Sequence, residues 1–529
     1  MPSVYSSPGA YPKETDLSQI VSGISNSIGA MVGAASRGPV KCTVLCTDIK
    51  QLIETFGEPN ATVSFMHYSA LAFLTWAKRL YVTRVVGSGA LHADLVLTGS
   101  NPGYTAASAG VSPIAPKKTP SYSFNGGDCF LVFATGPGVY ANTETSVKVT
   151  NVVTSTTPHT FNLEVYQTVK GVKSKVETFT VSKGKGLDGF GRQLYLEDVI
   201  NGNSKYIRVL DNTAVTTDPY AMSADQLLTQ GADGSAPTSG DIEGANGWQL
   251  YANPDDVKVG ILMPGGSAVA STDLVMNTIA QTRRDCIAIS VVPSQSQDGS
   301  AELTYRNSTW NINSSFSALY TPDVLIHDPY SNVNLYVPPD GYVGAVYAKT
   351  EQLRQAWEAP AGFDMGILNV LGVRLNYTQG QRDALYEAQI NTIRTFPGQG
   401  TMIWGQKTAQ SNLSALSSVN VRRLIIVTEN SIRNSLVKVV FKLNNKFTRL
   451  QVFQMIDQFL RTVKAQNGVY DYKIVCDETN NTPQIIDQNQ MNVDVYMKPQ
   501  RSAEVIQLQT IITRTGANFN ELVAQGGNV

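Results

Sequence analysis

Three features of the 529-residue sequence predict a multidomain protein of α/β and α+β class. It is expected to combine an α/β core with an inserted β-sandwich-like domain, a helical/β C-terminal domain and extended N- and C-terminal arms. The first feature is a strand, helix, helix, strand order within residues 22–97, which resumes as strand, helix, strand within 245–374. The second is a change of character over residues 98–244, where Thr, Ser, Val and Gly dominate. There TSVKVTNVV, TFNLEVYQTV and KVETFTVS alternate between turns, as sandwich strands do. The third is a helical period over residues 375–512, flanked at 1–21 and 513–529 by weakly patterned stretches that read as arms. At about 150 residues per domain, the length accommodates roughly three to four domains.

Pro8, Gly9 and Pro12 keep the first arm extended and outside a sheet interior. IGAMVGAA reads as a strand, SRGPV as a turn and VKCTVLC as a second strand. Ile49, Leu52, Ile53 and Phe56 recur at helical spacing, and Gly57 stops that helix in a left-handed conformation. A second helix through Phe65, Tyr68, Leu71 and Ala72 leads into the strand LYVTRVV. After the insertion, VKVGILM, a helix through Leu274, Met276 and Ile279, and DCIAISVVPS form a crossover unit. Thr378 with Gln381 and Thr448 with Gln451 fit the capping box that satisfies helix-start amides. Val452, Met455, Ile456, Phe459, Leu460 and Val463 form an apolar core stripe ended by Gly468, and MNVDVYMK and AEVIQLQTIIT follow as strand-like stretches. Val337–Gly341 and Phe396–Gly400 read as turns, and Trp357 as a packing anchor.

Composition excludes several functions. The 41 Lys and Arg against 42 Asp and Glu give a net charge of -1, which supplies no bulk field for nucleic acid or an anionic membrane. No apolar run approaches the roughly 18 residues of a membrane span, and the N-terminus lacks signal-peptide regions. A soluble, cytoplasmic product without membrane insertion is expected. Charged residues make up 16% against a usual share of about 25%, as in a surface covered by something other than water. Five scattered Cys without a CxxC pair read as free, buried thiols, and four dispersed His predict no metal site. Gly184–Gly189 fits GxGxxG literally, but its β-rich context makes it a loop. The turn Pro264-Gly265-Gly266-Ser267 follows an α/β strand, where such folds place ligands, yet it lacks the lysine of a phosphate loop. No catalytic constellation and no cofactor site emerge, and the expectation is a non-enzyme.

Several segments, in order, resemble the contractile tail sheath proteins of tailed bacteriophages (the myovirus type). They are SPGAYPKETD (7–16), GAMVGAASRGPV, FGEPN, MNTIAQTRRDCIAISVVP (276–293), YTPDVLIHDP, VPPDGYVGAVYAKTEQLRQAWEAPAG (337–362), INTIRTFPGQGTMIWGQKT (390–408), VRRLIIVTENSI (421–432), VCDETNN and AEVIQLQ. The similarity covers most of residues 1–95 and 250–513. It departs from the family pattern at Thr321-Pro322-Asp323, at LYEAQIN and at FKLNN. The resemblance implies a structural subunit of the virion tail, assembled in the host cytoplasm. Its partners would be other copies of itself, in hexameric rings stacked as a helical lattice, with a tail tube protein, a baseplate and a neck or tail terminator. It further implies that the 375–512 domain faces the tube and that the insertion faces outward. Pro8, Gly9, Tyr11, Glu14, Asp16 and Phe519 would make intersubunit arm contacts, and Arg422, Arg423 and Arg433 contacts to subunits or tube. The sheath of a pyocin-like or extracellular contractile injection particle is the alternative within the class. A cytoplasmic α/β enzyme with a β accessory domain, holding its ligand at Pro264–Ser267, is the alternative outside it.

Overall fold

The computed structural model describes residues 26–105, 110–155, 157–508 and 510. The chain opens with β1 (Gly29–Gly33), β2 (Val44–Cys46), α1 (Ile49–Phe56), α2 (Met66–Leu74) and β3 (Leu80–Arg84). Asp48 caps α1 by accepting the Gln51 amide at 2.8 Å, and the helix buries Leu52 and Phe56. Gly57 ends it at φ 93° and ψ 173°, a region open essentially to glycine alone, rather than in the left-handed helical conformation expected. β2 covers three residues of VKCTVLC, so Cys42 lies outside the strand.

The insertion is a sandwich of two four-stranded sheets. β4 (Asp94–Thr98), β5 (Tyr104–Thr105), β6 (Asp128–Ala134) and β10 (Ile207–Asp211) form one; β7 (Thr145–Val153), β8 (Thr160–Val169), β9 (Val172–Val181) and β11 (Gln226–Leu227) form the other. Leu95, Val132 and Val209 from the first sheet share a core with Val147, Leu163 and Val165 from the second. Between the sheets the Phe130 and Phe161 rings stack at 5.6 Å. The expected boundary at residue 98 falls at the end of β4, because DLVLT is buried at all five positions and reads equally well as a core strand. The boundary expected at 244 is also displaced: the two ends of the insertion bridge at Leu91 and Ala232, while Ile242, Trp248 and Tyr251 already pack on the central sheet.

Asp94 is fully buried at the start of β4, its carboxylate has no side-chain partner among the described residues, and burial, opposed by the Val111 backbone, pushes its pKa from 3.8 up to about 7. Between about pH 4 and pH 7 the folded chain therefore holds a proton that the unfolded chain has released, and stability falls as pH rises through that window. Asp94→Asn should flatten this dependence and raise the melting temperature above pH 7, measured by calorimetry across pH 4–8.

After the insertion follow β12 (Ile261–Met263), α3 (Ala270–Arg283), β13 (Ile287–Val291), β14 (Ser317–Thr321), β15 (Val324–Asp328), β16 (Val333–Val337) and α4 (Asp340–Leu353), then β17 (Ile367–Leu368), β18 (Gly372–Val373), α5 (Gln379–Glu387), β19 (Ile390–Phe396) and β20 (Gly400–Ile403). β15, β16 and β18 form a separate three-stranded antiparallel sheet, and the other strands complete the central sheet. Its order is β17-β20-β19-β14-β13-β12-β1-β3-β2, parallel from β19 to β3, with antiparallel strands at both edges. Both faces are covered, as a parallel sheet requires. Met31, Ile261, Ile289 and Tyr320 face α2 and α4, while Ala30, Val32, Leu262 and Ala288 face α3. β19 and β20 join this sheet, so the domain expected from residue 375 gives up its first strands to the core.

α2 and α4 approach closely at Gly341, where a Cβ would stand 2.1 Å from the Ser69 carbonyl oxygen. Gly341→Val should lower stability by about 1–3 kcal/mol through overpacking, measured by the denaturant midpoint.

α6 (Val419–Leu436), α7 (Lys446–Ala465), β21 (Val469–Val475) and β22 (Asp494–Pro499) form the C-terminal unit. Val419 and Ile426 tie α6 to the central core. Val452, Met455, Ile456 and Leu460 of α7 pack against Ile474 and Cys476. Phe459 is partly buried and Val463 packs beside Trp357, whose indole donates to the Gln466 carbonyl at 3.1 Å. The Thr378–Gln381 capping box forms at α5, but α7 is capped instead by Asn445, which accepts the Thr448 amide at 2.8 Å. α7 ends at Ala465, and Asn467, not Gly468, takes the positive φ of 58°. MNVDVYMK supplies β22. Of AEVIQLQTIIT, residues 503–508 and 510 pair with no strand.

Candidate functional site

The loop after β12 is the place an α/β enzyme would use. Gly265 and Gly266 take φ of 65° and 74°, and a Cβ on Gly266 would lie 2.4 Å from that of Phe65. Into this turn projects Asp340, the first residue of α4. Its carboxylate accepts the Gly266 amide at 2.9 Å and the Ser69 hydroxyl at 2.7 Å. Burial raises its pKa, and the hydrogen bonds from Ser69, Gly266, Gly341 and Gly265 oppose that rise. The turn is therefore filled by the chain's own carboxylate, which joins β12, α2 and α4. Gly184–Gly189 forms a loop, and the next helix, Leu196–Ile200, starts well beyond it rather than within the motif. Burial pushes the thiols of Cys42 and Cys129 up to about 11 and that of Cys46 up to about 12, far from nucleophilic. His67 and His92 are buried, whereas His159 pairs with Asp218 and His327 with Asn334 at the surface.

Among the described residues, unpartnered surfaces include several in the C-terminal unit. There β21 and β22 pair only with each other among the described strands, so each leaves an open edge, and Tyr470 and Tyr496 are exposed on them. Beyond β22, Glu504 accepts hydrogen bonds from the Tyr386 hydroxyl at 2.7 Å and the Gln406 amide at 3.1 Å. Past this clamp Val505, Ile506 and Leu508 are 80–89% exposed. A β-prone apolar stretch held in water is suited to pairing with another chain.

Arg422 and Arg423, expected at subunit or tube contacts, are buried within the chain. Arg422 donates to the Ser315 hydroxyl at 2.6 Å and lies over the Phe316 ring at 4.0 Å, and burial draws its pKa down to about 10. Arg423 donates to the Tyr347 carbonyl at 2.9 Å and pairs with Glu351 at 3.3 Å. They sit on the face of α6 that packs on the core, a role that VRRLIIV conceals because both Arg interrupt the apolar period. Arg433, farther along α6, is exposed. Pro8, Gly9, Tyr11, Glu14, Asp16 and Phe519 lie outside the described residues. Glu504 and the exposed apolar turn between α6 and α7 were not singled out from sequence. The run VKVVFKL, apolar and basic with no acid, was the available signal for the latter.

The α/β sheet with an inserted sandwich and a C-terminal hairpin is a fold found in solved sheath proteins. The chain shares its fold with the sheath of an extracellular contractile injection system in the contracted state, at TM-score 0.54 and 16% identity, over 96% of this chain and 98% of the other. It matches the sheath tail protein of Listeria innocua at TM-score 0.58 and 10% identity, over 89% and 94% of the two chains. Residues 257–409 match the phage tail sheath protein central domain and 411–513 the phage tail sheath C-terminal domain. The chain is 31% identical over 376 residues to the tail sheath protein of Enterobacteria phage T4, covering 66% of this chain and 56% of that protein. It is 29% identical over 396 residues to that of Vibrio phage KVP40, covering 68% and 57%. It thus spans little more than half the length of these relatives. The chain belongs to the phage tail sheath protein family.

Proposed function

We propose that this chain is the subunit of a contractile tail sheath, which polymerises as stacked hexameric rings around a tail tube and shortens to drive the tube through a host envelope. The ordered match to both sheath domains carries the proposal. Open edges on β21 and β22, together with the exposed Val505–Leu508 stretch, fit attachment between copies by strand addition. Residues 1–21 and 513–529 then serve as tethers while the folded bodies rotate and slide as rigid units. The stroke consumes no nucleotide: the extended lattice is metastable, and a baseplate releases its first ring. A neck or terminator closes the other end, and the sandwich lies on the outside. The C-terminal unit faces the tube, with Arg433 as a contact.

Electron microscopy of the purified chain tests this reading: striated tubes are expected, and discrete particles at every concentration and ionic strength would refute it. Removal of residues 1–20 should leave a folded, soluble monomer that forms no tubes; tubes from that truncation would overturn the tether role. The fold shared with an injection-system sheath favours a headless particle as the second reading. Particles captured through this chain should carry a DNA-filled head if the first reading holds and none if the second does.

A further inference from the structure

A cavity of about 530 Å³ opens between α5, the β19–β20 edge of the central sheet and residues 502–505. Arg382 of α5 and Arg394 of β19 both border it, each half-buried. Arg382 donates to the Tyr377 carbonyl at 2.5 Å, and Arg394 lies over the Phe396 ring at 4.3 Å. The ion pairs of the flanking arginines, Arg374–Asp323 and Arg423–Glu351, lie outside the cavity. Two carboxylates stand at its border, and neither forms an ion pair with these arginines among the described residues. Both Glu504 oxygens are taken by Tyr386 and Gln406, and Asp383 is exposed on α5. Burial and the charge of Arg394 draw the Arg382 pKa down, opposed by Asp383, as expected for two cations held close together. The remaining wall is aromatic. Trp404 borders the cavity and packs on Phe396 at 4.8 Å and on Phe363 at 5.6 Å, and its ring is 39% exposed.

We propose that this cavity binds a small organic anion, whose phosphate or carboxylate group is held by Arg382 and Arg394 and whose planar apolar body lies on Trp404. Guanidinium forks match the oxygens of either head group, and an anion between them removes the repulsion that the chain leaves uncompensated. An indole face beside a cationic wall gives a ring-bearing anion apolar contact that a bare ion lacks. The volume falls in the range of small-molecule sites, roughly 300–1,000 Å³. Residues 502–505 form one side of the cavity, so a bound ligand joins the start of the C-terminal segment to α5 in addition to the Glu504 hydrogen bonds. The site lies within one chain and does not depend on the sheath reading.

The test titrates the full chain calorimetrically with phenyl phosphate and with benzoate, and with inorganic phosphate, acetate and phenol as their separate halves. At least one of the two ring-bearing anions should bind about tenfold or more tighter than its halves. Binding of phenyl phosphate alone assigns a phosphate head, and binding of benzoate alone a carboxylate. Arg394→Gln should weaken that binding about tenfold or more, and Trp404→Leu should erase the advantage of the ring-bearing anion over the bare one. Hydrogen exchange on the unaltered chain provides a readout that needs no variant to fold: the bound anion should protect amides within 379–394 and 502–505. Absence of binding by both ring-bearing anions at millimolar concentration would overturn the proposal. So would binding that Arg394→Gln leaves unchanged, protection confined to other segments, or a bare anion that binds as tightly as its ring-bearing counterpart.

Discussion

Replacing Arg84 with methionine should destabilise the chain by about 3–5 kcal/mol and separate the unfolding of the inserted sandwich from that of the core. Arg84 is the last residue of β3, 2% exposed, and its guanidinium donates to the carbonyls of Ala35, Gly38 and Pro137, each at 2.8 Å. The first two belong to the core and the third to the insertion, so one side chain joins both bodies. Burial draws its pKa down to about 10, which leaves it charged at neutral pH. Methionine retains much of the apolar stem but donates nothing, and three buried carbonyls then lose a charged donor. The other ionic links described at the joint are weaker: the partly exposed Arg37–Glu144 pair at 3.0 Å and the exposed Lys170–Glu58 pair at 3.0 Å. Calorimetry should resolve two transitions in the variant, and limited proteolysis should cut first in the connections at 85–93 and 233–247. A single transition at the wild-type temperature would show that Arg84 does not hold the two bodies together.

The contrast between Arg84 and Arg422–Arg423 explains what the sequence disclosed and what it concealed. Alternating and helical periods located most strands and helices, because burial of one face is written directly into residue spacing. The Thr378 cap was legible for the same local reason, whereas the Thr448 cap was misplaced because Asn445, three residues earlier, is an equally good cap and wins the amide. Domain limits were less legible: DLVLT and INTIRTF are β-prone in any sheet, and only pairing assigns the first to the sandwich and the second to the core. Buried arginines were hidden altogether. Their partners are backbone carbonyls and ring faces distant in sequence, such as Pro137 for Arg84 and Phe316 for Arg422, and no spacing rule points to them. The low charge content was informative in sequence; the exposed apolar turn at 437–450 and the Val505–Leu508 stretch show two places where covering surface is needed.

Lys183→Met should destabilise the sandwich by about 3–5 kcal/mol and leave the central core and C-terminal unit at wild-type stability. Lys183 and Asp211 are 6% and 4% exposed and 2.5 Å apart. The ammonium also donates to the Cys129 and Asn212 carbonyls, which lie on the strand and turn that Asp211 closes. Tyr195 donates to the second Asp211 oxygen at 3.3 Å, too long to replace a lysine. Removing the lysine therefore leaves a buried carboxylate without its counter-ion. Asp211→Asn should cost less, because the amide oxygen still accepts from Lys183 and the two carbonyls continue to solvate the ammonium. Lys183→Met combined with Asp211→Leu should recover part of the loss, since a buried pair exchanged for apolar side chains avoids desolvation of both charges. Denaturant unfolding followed by hydrogen exchange in β6 and β10 measures all three. A double variant no more stable than Lys183→Met would mean that the pair positions the Lys183 loop through its carbonyl contacts, and that the uncompensated charge is not the main loss.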